Sequence, residues 1–511
     1  MRLSTTIVCT ALSVLCGANN ISTSAGSLVN NTGTTVQVQF DITWANSWRI
    51  APDRWDAAWV FVKYRASDGV WRHCSLNDTG HSAPAGSTIA PGLVNPSSAF
   101  NASTNPAVGA FIYRSADGSG TFTANGVQLL WNYSMNGVAF IDVAEIRVYA
   151  IEMAYVPQGA FTAGSGGSET NAFTLTTINT GTATTAPAGV GSLGGQAGGY
   201  PTGQTAPTSA NWPNGFNAFY CMKYEVSQQG YVDFLNTLTY TQQVTRTATA
   251  PSSAAGTAAL SATNSNRSGI DIQTPGIASN TPALYACNLN GNGVYGETTD
   301  GTDIACNFLS WGDLTAYLDW SGLRPMTELE FEKACRGTSP PVANEYPWGT
   351  TAIAGSAYTL AATGANTEGI ATNYSTTAGN GSYFPTGYAL NGPLRVGIFA
   401  ANGSNSGRVT SGASYYGIME LGGNVWERPV TIGNLEGRAY TGTHGNGGVA
   451  ANGNPDATTW PAPATALGAG FRAGTWNFDA TYMQVSERSL AANSDSGRND
   501  NKGGRGARLS P

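Results

Sequence analysis

"CNFLSWGDLTAYLDWSGLRPMTELEFEKACRG", Cys306 to Gly337, holds two helix starts in one short block. Ser310 and Asp313 form a capping box, in which a hydroxyl and a carboxylate three residues apart satisfy each other's backbone amides. The helix they open runs through Trp311, Leu314 and Leu318 to Gly322, a suitable terminator. Thr327 and Glu330 repeat the device for a second helix through Phe331 and Ala334 to Gly337. Upstream, Ser227 caps "QQGYVDFLNTL", where Tyr231, Phe234, Leu235 and Leu238 share one helical face. Within the second helix Glu328 and Glu332 lie one turn apart, the spacing of a carboxylate pair. The capping fit favours the plainer reading, with Glu330 as the cap and the other two on a solvated face.

These helices sit among long irregular segments, 162–210, 246–268, 349–370 and 441–467, dominated by Gly, Ala, Thr, Ser and Asn. Two readings stand: flexible linkers, or surfaces that pack against neighbouring subunits, since they lack the Lys and Glu of disordered chains. The N-terminal part reads differently. "TTVQVQFDITW" alternates with period two, and "AAWVFVKYR", "GAFIYRS", "GTFTANGVQLLWNY" with an Ala-Asn-Gly turn, and "AEIRVYAIEMAYVP" follow as further strands. Short strands without a helix predict an antiparallel β-sandwich over 28–150, with Trp44, Trp55, Trp59, Trp71 and Trp131 as core anchors. The fold class expected is therefore α+β.

At 511 residues the chain is too long for one ordinary core. Charged residues make up only 11%, the net charge is −7, and no Lys/Arg block exists to contact a phosphate backbone, so nucleic acid is excluded as a partner. Residues 1–25 have the layout of a secretory signal: Arg2, an apolar segment from Ile7 to Leu15, then small residues, with cleavage near Ala18 or Ala25. The alternative is an ordinary buried strand. Leu15 is too large for a lipid-modification site at Cys16, and no later run is long enough to span a membrane, so an integral membrane protein is not expected. Five cysteines remain, Cys74, Cys221, Cys287, Cys306 and Cys335. In an oxidising space Cys287 and Cys306 form the best pair, closing a short Gly/Asn-rich loop, with buried free thiols as the alternative. The three histidines, His73, His81 and His444, are too scattered for a zinc or iron site.

Seven blocks then occur in order: "EMAYVPQGAFTAGS" (152–165), "FYCMKYEVSQQGYVDFL" (219–235), the opening block, "EYPWG" (345–349), "GIMELGGNVWE" (417–427), "FRAGTW" (471–476) and "GARL" (506–509). Together they resemble the formylglycine-generating enzyme (sulfatase-modifying factor) family over 151–511. The resemblance implies a C-type-lectin-like domain with little regular secondary structure. It also implies a pair of copper-binding cysteines shortly after the "FRAGTW" block, which oxidises a substrate cysteine. Here "FRAGTWNFDATYMQVSERS" contains no cysteine, so copper is not expected and neither is this enzyme activity.

The family's calcium loop falls on Glu420, Gly423, Val425 and Glu427, two carboxylates and two carbonyls suited to a hard cation. The competing reading has Glu427 bonding the loop's own amides. Asn373 is the one credible ligand of a second family loop, and "NLNGNGVYGETTDG" from Asn288 matches a calcium loop weakly, with Thr299 in place of the closing glutamate.

Three functions follow. The first is a secreted, non-catalytic structural protein at the cell surface, self-associating into a filament, sheath or layer. The second is a binding or adhesion protein, taking a glycan or surface protein, that displays its C-terminal segment as retroelement-diversified lectin-fold proteins do. Asn477, Asp479, Tyr482, Asn493 and Asp495 are its candidate contacts. The third is an oxidoreductase of the formylglycine-generating type with relocated chemistry.

Overall fold

The computed structural model describes residues 20–182, 207–278 and 280–511. Most of the expected signal segment, and 183–206 of the first irregular stretch, lie outside them. The fold is mostly sheet with few helices. Nine strands come from the N-terminal part: β1 Ser22–Thr23, β2 Ser27–Val29, β3 Val36–Ile50, β4 Arg54–Ala66, β5 Trp71–His73, β6 Ser87–Leu93, β7 Ala107–Arg114, β8 Gly118–Trp131 and β9 Val143–Val156. Three more join the same twelve-stranded sheet from far downstream: β10 Phe219–Met222, β11 Arg324–Pro325 and β12 Gly506–Leu509.

Alternation decides which residues go inside. Val36, Val38, Phe40, Ile42 and Trp44 of β3 pack with Phe122, Val127, Leu129 and Trp131 of β8. The same cluster takes Ala58, Val60, Val62 and Tyr64 of β4 and Ala110 and Ile112 of β7. The other face of β4, Ala57, Trp59 and Phe61, is also buried, in a second cluster with the helices. Burial on both faces explains why "AAWVFV" is continuously apolar rather than alternating. Trp44, Trp59 and Trp131 are fully buried as expected. Trp55 is only half-buried and stacks on Tyr155, and Trp71 lies under Arg147. The expected Ala-Asn-Gly turn is instead a register shift within the continuous strand β8, where Gly126 takes φ of 73°.

β9 links the two parts of the chain. Its residues pair with β4 from Asp56↔Ala154 to Ala66↔Val143, and with β10 from Met222↔Met153 to Phe219↔Val156. The boundary expected between 150 and 151 therefore falls inside one strand.

The helices follow their caps. α1 (Gln228–Leu235) starts at Ser227, whose hydroxyl accepts from Gly230 N. α2 (Tyr240–Arg246) has a Thr239–Gln242 capping box that the apolar pattern does not signal, because only Gln243 and Arg246 of this helix are buried. α3 (Trp311–Trp320) and α4 (Glu328–Arg336) carry both expected capping boxes, and every residue of both is buried. Burial overturns the solvated face expected for Glu328 and Glu332.

The long segment 441–467 packs on its own chain. Gly445 N donates to Leu323 O (2.7 Å), Gly447 N to Asp319 O (3.0 Å), and Trp311 Nε1 to Pro461 O (2.8 Å). It is not a free linker.

Candidate functional site

The loop Gly417–Glu427 is held in a conformation its sequence was built to permit. Gly423 has φ of 89°, and a Cβ there would stand 2.3 Å from Ser382 O. Glu420 (φ 49°) and Asn424 (φ 68°) also take the left-handed region, which turns successive carbonyls to different sides. Backbone bonds pin the loop: Gly423 N to Ala473 O (2.6 Å), Asn424 N to Ser382 O (2.8 Å), and Glu427 and Arg472 exchanging amides at 3.1 and 3.0 Å.

Three buried carboxylates surround one guanidinium here. Arg505 is fully buried, pairs with Glu427 Oε1, and donates through Nη2 to Glu420 O (3.0 Å). Glu225 accepts from Val425 N (3.0 Å) and Asn424 Nδ2 (2.5 Å). Glu420 Oε1 accepts from Gly397 N at 3.0 Å. Burial pushes the Glu420 carboxyl up to about 7, against the Gly397 amide and Arg505. Burial likewise raises Glu427 despite Arg505, and raises Glu225 well above the carboxylate range.

Two observations at the loop suit a hard cation. Glu420 Oε2 and Glu427 Oε2 are buried without a hydrogen-bond partner. Among the described residues no donor reaches the carbonyl oxygens of Gly423 or Val425. Orphaned buried carboxylate oxygens are costly unless a cation meets them. Among the described residues no three His, Cys, Asp or Glu side chains converge as a ligand cluster, so a cation here would draw on the carbonyls and on water.

Arg472 of the "FRAGTW" block and Arg488 of the segment after it, where the resemblance places copper-binding cysteines, bind carboxylates of α4. Arg472 donates to Glu328 Oε2 and Glu332 Oε1 (both 3.0 Å) and to Val485 O (2.5 Å). Arg488 Nε reaches Glu328 Oε2 at 2.7 Å, and Glu332 Oε2 accepts from Gly164 N at 2.7 Å and Arg336 Nη1 at 3.3 Å. Arg324 grips Glu330 with two bonds of 2.8 and 2.5 Å. Burial works against the Glu328 charge, but Arg488 and then Arg472 outweigh it and hold the carboxyl below its usual value. The acidic trio of α4 is thus an internal anchor with every carboxylate consumed by arginine.

None of the cysteines offers a thiolate. All five are free and buried, so the expected Cys287–Cys306 bridge is absent, and burial raises every thiol, Cys221 to about 12. The loop from Asn288 closes on itself: Asn290 and Asn292 turn their amides to Glu297 Oε2, at 3.0 and 2.6 Å, rather than their oxygens to a metal. Asn373 Nδ2 donates to Ala357 O, so that side chain supports a turn.

The candidate display residues divide. Asp479, Asn493 and Asp495 are exposed, although Asp495 pairs with Lys502 at 2.7 Å. Asn477 Oδ1 accepts from Thr475 Oγ1 and Asn501 Nδ2, and Tyr482 packs edge-on against Trp426 and Phe478. Beside them Phe384 and Tyr388 expose 43% and 54% of their surface, and Tyr388 stacks on Trp476. Sequence reasoning missed Arg472, Arg488, Arg505, Glu225 and Lys223. Their signal was available: in a chain so poor in charge, charges set inside an apolar run, as Lys223 and Glu225 in "FYCMKYEV", are best explained by buried partners.

The family model of the sulfatase-modifying factor enzyme 1-like domain matches residues 150–432, more than half of the chain. The protein belongs to that family, as a divergent member with no cysteine beyond Cys335. No curated protein matches it. Among solved structures it is similar to Treponema denticola variable protein 1, at 13% identity over 70% of this chain and 96% of that one, with a TM-score of 0.31. Among the described residues no helix is long and apolar enough to cross a membrane.

Proposed function

We propose that this protein is a secreted, non-catalytic structural protein that self-associates at the cell surface into a filament, sheath or layer. One observation carries the reading. More than half of the 24 Lys and Arg residues, and more than half of the 31 Asp and Glu residues, are buried inside the fold. The outer surface is therefore poor in charge, so copies pack together while stripping water from few ions. In this reading 28–150 is a β-sandwich appended to the family domain at 151–511. Calcium at Glu420, Gly423, Val425 and Glu427 neutralises the surplus carboxylates and stiffens the loop. Cleavage falls near Ala18, because a cut after Ala25 would remove β1 and the buried Ile21.

Electron microscopy and sedimentation of the purified mature protein with calcium test this. Ordered polymers are expected at high concentration, and a monomer at every concentration rejects the assembly. A second reading, ligand display, rests on the exposed Phe384 and Tyr388 beside Asp479. Rings flanked by an acid and amides suit the faces and hydroxyls of a sugar. Glycan-array binding lost in Phe384→Ala and Tyr388→Ala would favour it over assembly.

A further inference from the structure

Where the sheet passes from the N-terminal strands into the family domain, three ionisable side chains meet on one face. β9 is the middle strand: Asp56 of β4 lies opposite Ala154, and Ala154 opposite Cys221 of β10. Strand alternation puts Glu152, two residues before Ala154, and Lys223, two residues after Cys221, on the same face as Asp56. Ala154 places only a methyl group on that face between the outer strands.

The side chains are at most 2% exposed, and Lys223 Nζ lies 3.0 Å from Glu152 Oε2 and 3.7 Å from Asp56 Oδ2. The ammonium sits 4.9 Å from the Trp48 ring centroid. The Asp56 carboxyl is gripped at both oxygens, by Trp44 Nε1 (3.0 Å) on one and by Ser47 Oγ (2.8 Å) and Trp48 N (3.0 Å) on the other. These donors fix its plane and would hold the charge that develops on oxygen when a nucleophile adds to its carbon. Burial raises the Asp56 carboxyl even with Lys223 beside it, which favours the neutral acid that can lose hydroxide.

We propose that Lys223 and Asp56 condense into an intramolecular amide, with Glu152 carrying the protons. The Lys223 ammonium gives one proton to the Glu152 carboxylate, leaving a neutral amine in a site without bulk water. Nζ then attacks Cγ of the protonated Asp56, and the N–C bond forms. The nitrogen loses a second proton as the hydroxyl of Asp56 departs with it as water. One amide and one water form, Glu152 ends protonated, and no oxidant or cofactor is required. Held geometry replaces the entropy cost that makes this condensation slow between free side chains. The bond would tie β4 to β10 across β9, locking the N-terminal strands to the family domain.

Peptide mapping by mass spectrometry of the purified full chain tests this. The expected product joins the peptide containing Asp56 to the one containing Lys223, lighter than their sum by one water, with trypsin unable to cut at Lys223. Asp56→Asn should still cross-link, now losing ammonia. Glu152→Gln should leave both peptides free in a protein whose circular dichroism is unchanged, and Lys223→Arg should do the same. Two free, unmodified peptides from the folded native protein would overturn the proposal and leave the trio a buried ion cluster. Full cross-linking in Glu152→Gln would overturn the role given to Glu152.

Discussion

Trp131 on β8 and Arg472 behind the Gly417–Glu427 loop are both sealed from solvent, and different physics holds each in place. Around Trp131 the neighbours are Val, Ile, Leu and aromatic side chains in alternating strands, and what matters is volume. Around Arg472 they are Glu328, Glu332 and the Val485 carbonyl, and what matters is direction and charge. An apolar core tolerates exchange of one hydrocarbon for another, whereas a buried ionic core tolerates no member missing. The C-terminal half has few regular elements to bury backbone polar groups, so arginine forks reach carbonyls and carboxylates across long sequence separations instead.

The comparison breaks most visibly at Arg472. Arg472→Met leaves Glu328 and Glu332 short of a partner in the interior and should cost about 3–5 kcal/mol in urea unfolding. Arg472→Lys, which keeps the charge but loses the fork, should still cost about 1.5–3 kcal/mol. In the strand core Ile112→Val should cost only about 0.5–1.5 kcal/mol by the same measurement. A loss at Ile112 equal to that at Arg472 would erase the distinction.

The Gly417–Glu427 loop differs from α4, because its three buried carboxylates share one arginine, Arg505, and calcium is proposed to balance the rest. Chelation should lower the melting temperature, by an amount equivalent to about 2.7 kcal/mol if the ion was at a hundred times its dissociation constant. Glu427→Gln should remove that response. In calcium-free protein the two acid sites respond to pH with opposite sign. The Glu420 carboxyl is raised to about 7 by burial, so the folded state binds protons more readily than the unfolded chain. Its contribution to stability therefore falls as pH rises from about 4.5 to 7. Glu328 is held down by Arg488 and Arg472, so its contribution is present above the unfolded pKa and is lost as pH falls through the folded one. Unfolding midpoints from well below pH 4.5 up to about 7, with and without calcium, check both signs, and calcium should abolish the first. The smallest effect belongs at the surface: Asp68→Asn, which cuts the exposed pair with Arg72, should change stability by less than about 1 kcal/mol.

The strands of the N-terminal part and three of the helices were legible because alternation and capping are local rules. Ser310–Asp313 and Thr327–Glu330 act over four residues, and sequence alone places them. The family was legible from ordered blocks, and the missing cysteines from simple reading. What escaped was long-range pairing. Glu328 and Glu332 looked like a solvated face because their partners lie about 140 to 160 residues away, at Arg472 and Arg488. Cys287 and Cys306 are near in sequence and share one buried cluster, yet both stay free thiols. Of the two readings of segment 441–467, the flexible linker does not hold, because its backbone is bound to Asp319 and Leu323.

The family's fold persists here with no cysteine after Cys335, and its copper chemistry is expected to be absent. The most direct test is oxygen consumption and aldehyde formation on a cysteine-containing peptide, with the protein supplied with copper and reductant. The account predicts no turnover above the copper blank, for the native chain and for Arg472 variants alike. Turnover by the native chain would contradict it.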